Sequence, residues 1–200
     1  SHTGNTQDPN NRWMWRTNQK RMEAEVVRDS VLFLAGSLDT KMGGADIPHN
    51  KGMTVPRRSL YFKHARERQM KFLRMFDAAN PRECYRRQQS IRPQQVFALI
   101  NSSLLLEQSR ILAKALVREL PQTGRHASFI TLSFETILNR VPTAAEHQRC
   151  LQFLRGQTKR LSDVKKLKRL GTRKSAVPPS TDPAQRAREN LALVLFNHHD

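Results

Sequence analysis

The sequence is poor in the residues from which metal and cofactor sites are usually built. Its 200 residues contain two cysteines, Cys84 and Cys150, which lie far apart and match no ligand spacing. No Cys-x-x-Cys-His run is present for haem attachment, and no His-Glu-x-x-His pattern for zinc. We therefore predict no cofactor, no metal site and no catalytic residue in this chain. Buried free thiols are the default for the two cysteines, although a disulfide between them stays open.

Long apolar runs are also missing. Runs such as residues 31–35 and 104–106 are far shorter than the roughly 20 residues that a transmembrane helix needs. The sequence thus predicts no membrane span. It also lacks an initiating methionine and a signal-like start, so we interpret it as the interior of a longer protein whose targeting segment would lie upstream.

Acidic residues are scarce, with 17 against 35 basic ones and a net charge of +18. Such an excess favours polyanionic partners, which are nucleic acid, acidic polysaccharide or an anionic surface. Much of the excess lies between Arg155 and Lys174. The candidate polyanion-binding residues in that stretch are Lys159, Arg160, Lys165, Lys166, Lys168 and Arg169. No aromatic residues are interleaved with them for base stacking, so we favour a solvated insertion and do not expect nucleic acid as the partner.

What the chain does have is helical periodicity. The stretch from Asp8 to Leu38 predicts one long helix, with Asp8 as its cap, Pro9 at its first position and Gly36 near its end. Two apolar stripes lie on opposite sides of this helix, which is typical of a helix buried between layers. The first stripe contains Trp15, Met22, Val26 and Phe33, and the second contains Trp13, Ala24, Val27, Val31, Leu34 and Leu38.

Later segments continue the helical pattern. Five further helices are predicted. The first runs from Pro93 to Asn101, and the second begins after a cap at Ser102 or Ser103. The third covers residues 127–139, the fourth begins at a Thr143–Glu146 capping box, and the fifth covers residues 184–196. Residues 57–63 indicate an extended segment or one small hairpin strand. The predicted fold class is mainly α: an irregular multi-helix domain around one long buried N-terminal helix, with at most one small strand pair.

The same patterns divide the chain into three parts. Residues 1–154 form a helical core domain, and residues 155–183 form a basic insertion with a Pro-rich linker. Residues 184–200 form a C-terminal helix that packs back on the core.

Arginines and carboxylates recur around the predicted long helix. We expect them to form an internal ionic network that pins this helix to the extended segment, because each carboxylate has an arginine within reach that keeps it ionised. If solvent reaches the network, the same guanidinium groups can bind a sulfate or carboxylate of a polysaccharide. The members are Arg16, Arg21, Glu25, Arg28, Asp29, Arg57, Arg58 and Asp77.

Several stretches, taken in order along nearly the whole chain, match a known family. They are Asp8-Pro9, Asn11-Arg12, Trp15-Arg16, Arg21-Met22-Glu23-Ala24-Glu25, Arg28-Asp29, Gly43-Gly44, Arg57-Arg58-Ser59-Leu60-Tyr61, Phe76-Asp77, Cys84, Arg87, Ser90, Pro93-Gln94-Gln95, Leu99-Ile100-Asn101, Arg140-Val141-Pro142-Thr143, Glu146 and Leu195-Phe196-Asn197. With them the chain resembles the C-terminal domain of unknown function found in large exported proteins of planctomycetes and related bacteria. It departs from the family at Gln94, where leucine is usual, and in the basic run from Arg155 to Lys174.

The resemblance implies export to the periplasm or cell surface, a second domain of unknown function and often a cytochrome-c-like domain in the same parent protein. Haem would then belong to those other domains. The family brings no established reaction, only a link to the breakdown of complex carbohydrates. We therefore expect a non-catalytic structural or interaction module whose partners are other domains of its parent chain. The alternatives are part of an enzyme or binder acting on acidic or sulfated polysaccharide, and polyanion or nucleic-acid binding through the basic insertion.

Overall fold

The computed structural model describes residue 8 and residues 11–17, 22–76, 78–82, 99–120, 125–163 and 176–198. Within these residues the fold is mainly α, which confirms the predicted fold class, and the β-structure consists of isolated bridges. The α-helices are α1 (Ala24–Leu34), α2 (Lys71–Met75), α3 (Ser103–Glu119), α4 (Arg125–Leu138), α5 (Ala144–Ser162) and α6 (Pro183–Leu195). None of the helices in these residues is long and apolar enough to cross a bilayer.

The larger hydrophobic cluster lies among α3, α4, α5 and α6. In α3 the buried positions of this cluster include Leu112 and Leu116, a spacing that places them on one face of the helix. They meet Phe129 and Phe134 of α4, among other buried residues of the cluster. Helix α6 packs against both α3 and α5, and its Leu191 and Leu195 are part of the same cluster.

A second cluster joins α1 and α2 to the start of α3. Its buried members include Val31 and Leu32 of α1, Phe72 and Leu73 of α2, and Leu104 of α3. The segment between α1 and α2 is irregular, with two short 3₁₀ helices, His49–Lys51 and Ser59–Tyr61. Isolated parallel bridges, Asp39 to Arg57 and Ile47 to Phe62, hold this segment together where an extended segment or one small hairpin strand was expected.

The predicted long N-terminal helix is wrong. Residues 11–17 form turns and bends, and helix α1 begins only at Ala24. Asn11 and Met14 have φ of 53° and 50°, a left-handed conformation that a continuous right-handed helix cannot contain.

The Asp8 carboxylate does accept a backbone hydrogen bond, but it comes from Trp13 N (2.8 Å) and closes a loop. The carbonyl of Asp8 accepts from the Trp15 indole (3.0 Å). Asn11 Oδ1 accepts from Arg16 N (3.2 Å), and Asn11 Nδ2 donates back to Arg16 O (2.7 Å). Side chains of Asp and Asn that bond to nearby backbone compete with helix formation, which explains why a helical pattern gave a turn here.

The predicted burial of both apolar stripes is also wrong. Ala24 and Val31 are buried, so one face of α1 packs as expected. The other face carries Val26 and Phe33, which are 45% and 67% exposed. Met22, just before the helix, is 54% exposed. Trp13 is 76% exposed. Helix α1 is therefore a surface helix with an additional apolar row on its outer face.

Predictions for the later helices hold better. Helix α3 has Ser102 as its N-cap residue and ends before Pro121. Thr143 and Glu146 form the predicted capping box of α5. Helix α5 continues to Ser162, so the first part of the predicted basic insertion is helical. Of the helix predicted from Pro93 to Asn101, only residues 99–101 are described, and residues 99 and 100 are helical. Cys84 lies outside the described residues.

Candidate functional site

Arg28 is the centre of the polar cluster that the sequence indicated. It lies on the inner face of α1, its side chain is 0% exposed, and it reaches into the irregular segment between α1 and α2. Nε and Nη2 both donate to the carbonyl of Gly52, at 3.0 and 2.8 Å. Nη2 also donates to Val55 O (2.8 Å), and Nη1 donates to Arg57 O (2.8 Å). One guanidinium thus fixes three backbone carbonyls of the segment.

Asp29 completes the cluster from the next position of α1. Its carboxylate accepts from Ser59 N at 2.9 and 3.0 Å and from Ser59 Oγ at 2.6 Å. Arg28 Nη1 lies 3.3 Å from both Asp29 Oδ1 and Ser59 Oγ. The pair Arg28 and Asp29 therefore binds both backbone acceptors and a backbone donor of the same segment. We call the group formed by Arg28, Asp29, Ser59 and the carbonyls of Gly52, Val55 and Arg57 the Arg28 clasp.

The Arg28 guanidinium is closed to solvent, whereas the Asp29 side chain is 21% exposed. A guanidinium has five N–H donors, and those of Arg28 are directed at protein oxygens inside the fold. Its carbon lies 4.9 Å from the centre of the Phe62 ring, which covers one face. Burial lowers the pKa of Arg28 from its ordinary value, and the neighbouring Asp29 opposes that shift. Because the donors are already engaged, the clasp leaves no vacant position for an external anion.

Arg57 anchors a second set of contacts beside the clasp. Its Nη2 donates to the carbonyls of Lys41 and Gly43, both at 2.8 Å. Its Nε lies 3.7 Å from the Asp39 carboxylate. The guanidinium stacks over Tyr61 at 4.3 Å, and the Tyr61 hydroxyl accepts from Gly43 N (3.0 Å). Gly43 has a φ of 74°, which favours glycine at this turn. Arg57 and Tyr61 thus hold the glycine loop in place.

The structure brings together Arg28, Asp29 and Arg57 from the predicted network. Arg16 lies in the N-terminal loop, with its guanidinium 5.2 Å from the Trp15 ring. Glu25 is in the first turn of α1, where an acidic residue complements the helix dipole. Arg58 is exposed, and its carbonyl accepts from Tyr61 N. Arg21 and Asp77 lie outside the described residues.

Sequence reasoning missed most partners of the clasp. Ser59 follows Arg57-Arg58 in a stretch that we noted only as extended, and its hydroxyl was a signal that could have been used. The carbonyls of Gly52 and Val55 have no residue-type signal, since every residue has a carbonyl.

A second ionic contact closes the turn before α5. Arg140 Nη1 and Nη2 donate to the two carboxylate oxygens of Glu146 at 3.0 and 2.8 Å. Glu146 also accepts from Thr143 N at 2.8 Å. The Arg140 hydrogen bond, followed by those from Thr143, holds the pKa of Glu146 well below its usual range. Such bidentate pairing and capping fix the start of the helix.

A third polar group lies around α6, where the sequence gave no candidate. Arg188 and Glu189 are both buried. Glu189 Oε2 accepts from Ser180 N at 3.2 Å, and burial raises the pKa of this carboxyl. Arg110 of α3 donates to Val177 O. These contacts tie residues 176–180 to α3 and α6. His126 of α4 also interacts with Arg188. Burial is the largest cause that lowers the pKa of His126, and the positive charges of Arg188 and Arg155 lower it further.

These groups offer little for acid–base or nucleophilic chemistry. Cys150 is a free, half-buried thiol, and burial and then Glu146 raise its pKa, which disfavours the reactive thiolate. In the described part of the chain no group of three His, Cys, Asp or Glu side chains lies close enough to hold a metal ion.

Two of the candidate polyanion-binding residues fall on a described element. Lys159 and Arg160 are exposed in the last turns of α5. Lys165, Lys166, Lys168 and Arg169 lie outside the described residues.

Comparison with known proteins identifies the family. A family model described as PSD1, protein of unknown function (DUF1553), matches residues 1–154. No curated protein and no solved structure matches the chain. The match includes the Arg28 clasp, the glycine loop and the capping box of α5, and it extends over more than half of the sequence. The chain therefore belongs to the PSD1 family of proteins of unknown function (DUF1553).

Proposed function

We propose that this chain is a non-catalytic structural and interaction module of an exported multidomain protein. The observation that carries this proposal is the fully buried Arg28 guanidinium at the centre of the Arg28 clasp. Arg28 and Asp29 are the strongest candidates for a binding site in this cluster. Arg28 donates to three backbone carbonyls, and the Asp29 carboxylate accepts from Ser59. These hydrogen bonds hold the irregular segment between α1 and α2 in place, and they leave no Arg28 donor directed towards a substrate.

The outer face of α1 supports an interaction role. Val26 and Phe33 are exposed there, and their spacing places them on one side of the helix. Met22, which is also exposed, lies just before the N-cap residue Glu23 at the start of this helix. Exposed apolar groups that share one face are typical of an interaction surface. We name these three residues the α1 row. Its proposed partner is another domain of the same parent chain.

The proposals that the parent protein is exported and that it contains a cytochrome-c-like domain are supported only by the resemblance of the sequence motifs. The chain has no Cys-x-x-Cys-His run, so haem would be attached to a different domain of the parent protein.

Binding of an acidic polysaccharide at the arginine cluster is the weaker alternative. It requires guanidinium donors that point outward. Those of Arg28 are engaged inside the fold, and Arg57 directs Nη2 at the carbonyls of Lys41 and Gly43 while its side chain is only 15% exposed. The cluster therefore suits a structural role better than anion capture.

Oxidation of methionine by dilute hydrogen peroxide tests the interaction role. We expect Met22 to be oxidised several-fold more slowly in the longer parent protein than in the isolated 200-residue chain, because a neighbouring domain would cover the α1 row. Met42, which is 83% exposed in the glycine loop, is the matched control and should react at the same rate in both. Equal rates for Met22 in the two proteins would contradict the proposal.

A further inference from the structure

The exposed face of α5 carries a concentration of positive charge. Its exposed side chains between positions 148 and 160 include the four cations Arg149, Arg155, Lys159 and Arg160, and no acidic residue. At about 100° per residue these positions fall within less than half of the helix circumference. From Arg149 to Arg160 the face is about 16 Å long. We call it the α5 basic face.

Helix stability alone does not account for this face. Lys159 and Arg160 lie in the last turn, where cations complement the helix dipole. Arg149 and Arg155 are in the middle of the helix, too far from its end for that effect. Within the described residues no hydrogen bond or ion pair engages any of these four side chains. The acid of the first turn, Glu146, is bound by Arg140 and Thr143.

We propose that the α5 basic face binds a linear acidic polysaccharide that carries sulfate or carboxylate groups. Guanidinium groups bind such planar or tetrahedral anions with paired hydrogen bonds. Gln148 and Gln152 are exposed between the cations, and their amides can donate to and accept from sugar hydroxyls. This alternation of amide and cation matches a chain that alternates hydroxyl and anionic groups.

The same geometry disfavours nucleic acid. Single-stranded nucleic acid is normally held by aromatic side chains on which the bases stack, and the exposed positions of this face include no aromatic residue. A duplex presents two phosphate rows on either side of a groove about 12 Å wide. The α5 basic face is one narrow row on one helix, which fits a single extended polyanion better than a duplex.

Binding of fluorescently labelled dextran sulfate to the full chain tests this inference. The triple variant Arg149→Gln, Arg155→Gln, Lys159→Gln should bind about tenfold more weakly than the wild type, since each exposed ionic contact contributes a factor of about 1.4–5 in affinity. The matched control is Arg66→Gln, Arg68→Gln, Lys71→Gln, three exposed cations outside α5. It removes the same charge and should change the affinity by less than about threefold.

Three results would overturn the inference. They are unchanged affinity of the α5 variant, an equal loss in both triple variants, and tighter binding of a 16-base-pair DNA duplex that the α5 changes abolish. Uncharged dextran should not bind. Glutamine has a helix propensity close to that of arginine and lysine, so circular dichroism should show an intact fold. If it does not, the single variant Arg149→Gln must still bind dextran sulfate more weakly than Arg66→Gln.

Discussion

Gly52 packs so closely against the buried Met70 side chain that a Cβ at this position would overlap with it. Its carbonyl accepts two hydrogen bonds from Arg28, and a Cβ at this position would lie 2.5 Å from Cγ and Sδ of Met70. Its φ of −60° is ordinary, so the constraint is packing and not backbone strain. We predict that Gly52→Ala lowers the free energy of unfolding by about 1–3 kcal/mol through overpacking of a buried side chain. Urea denaturation followed by circular dichroism measures the change.

Gly156 provides the matched control. It is exposed inside α5, and a Cβ there would meet nothing within 4 Å. Gly156→Ala should therefore raise the free energy of unfolding by up to about 1 kcal/mol, because alanine favours a helix interior. Opposite signs for the two substitutions are expected, and equal effects would contradict the packing described around Met70.

His126 makes stability depend on pH. Burial and the charges of Arg188 and Arg155 lower its pKa below the ordinary 6.5. The unfolded chain then takes up a proton as the pH falls through about 6.5, whereas the folded chain does not. The free energy of unfolding should therefore decrease below about pH 6.5, and His126→Gln should reduce that decrease. His49→Gln is the control, and urea midpoints at pH 7.5 and 5.5 measure both. An unchanged pH dependence in His126→Gln would contradict the prediction.

At the scale of single elements, the capping box of α5 was fully readable from the sequence. Thr143 Oγ1 accepts from Glu146 N, and the Glu146 carboxylate accepts from Thr143 N. We predict that Thr143→Ala lowers the free energy of unfolding by about 1 kcal/mol, because an orphan amide of the first turn loses its acceptor. Thr54→Ala, in an exposed turn, is the control and should cost less than about 0.5 kcal/mol.

The first helix shows where periodicity misleads. Residues 8–38 contain enough apolar residues at helical spacing to suggest one rod, yet Asp8 and Asn11 bind the local backbone and close a loop. Asp and Asn carry that ambiguity in any sequence, since the same side chain caps a helix or builds a turn. Helices α3, α4 and α6 were predicted more accurately because their apolar positions are buried on a single face.

For the Arg28 clasp, the sequence predicted the charged members but not their backbone partners. Arg28, Asp29 and Arg57 were recognised as one group because charged residues on apolar elements need partners. Their main partners are carbonyls of Gly52, Val55 and Arg57, which no residue pattern identifies. The sequence therefore indicated that the Arg28 guanidinium has partners inside the protein, but it did not indicate which atoms accept its hydrogen bonds.

At the scale of the whole molecule, α6 closes the larger core although it lies beyond the residues that the family model matches. Leu191 is buried against that core, whereas Val194 is 51% exposed. Leu191→Ala should lower the free energy of unfolding by about 2–5 kcal/mol, and Val194→Ala should change it by less than about 0.5 kcal/mol. Thermal unfolding of the full chain compares them. A similar small effect of both would show that the helix is not part of the core.

The central claim is that Arg28 serves the fold as a closed clasp. Equilibrium unfolding in urea of Arg28→Met, beside Arg58→Met, tests it most directly. Arg28→Met leaves the carbonyls of Gly52, Val55 and Arg57 without their donors, and Asp29 without its cation. We predict a loss of about 3–5 kcal/mol for Arg28→Met and less than about 0.5 kcal/mol for exposed Arg58→Met. Equal stability of the two variants would contradict the structural role assigned to Arg28.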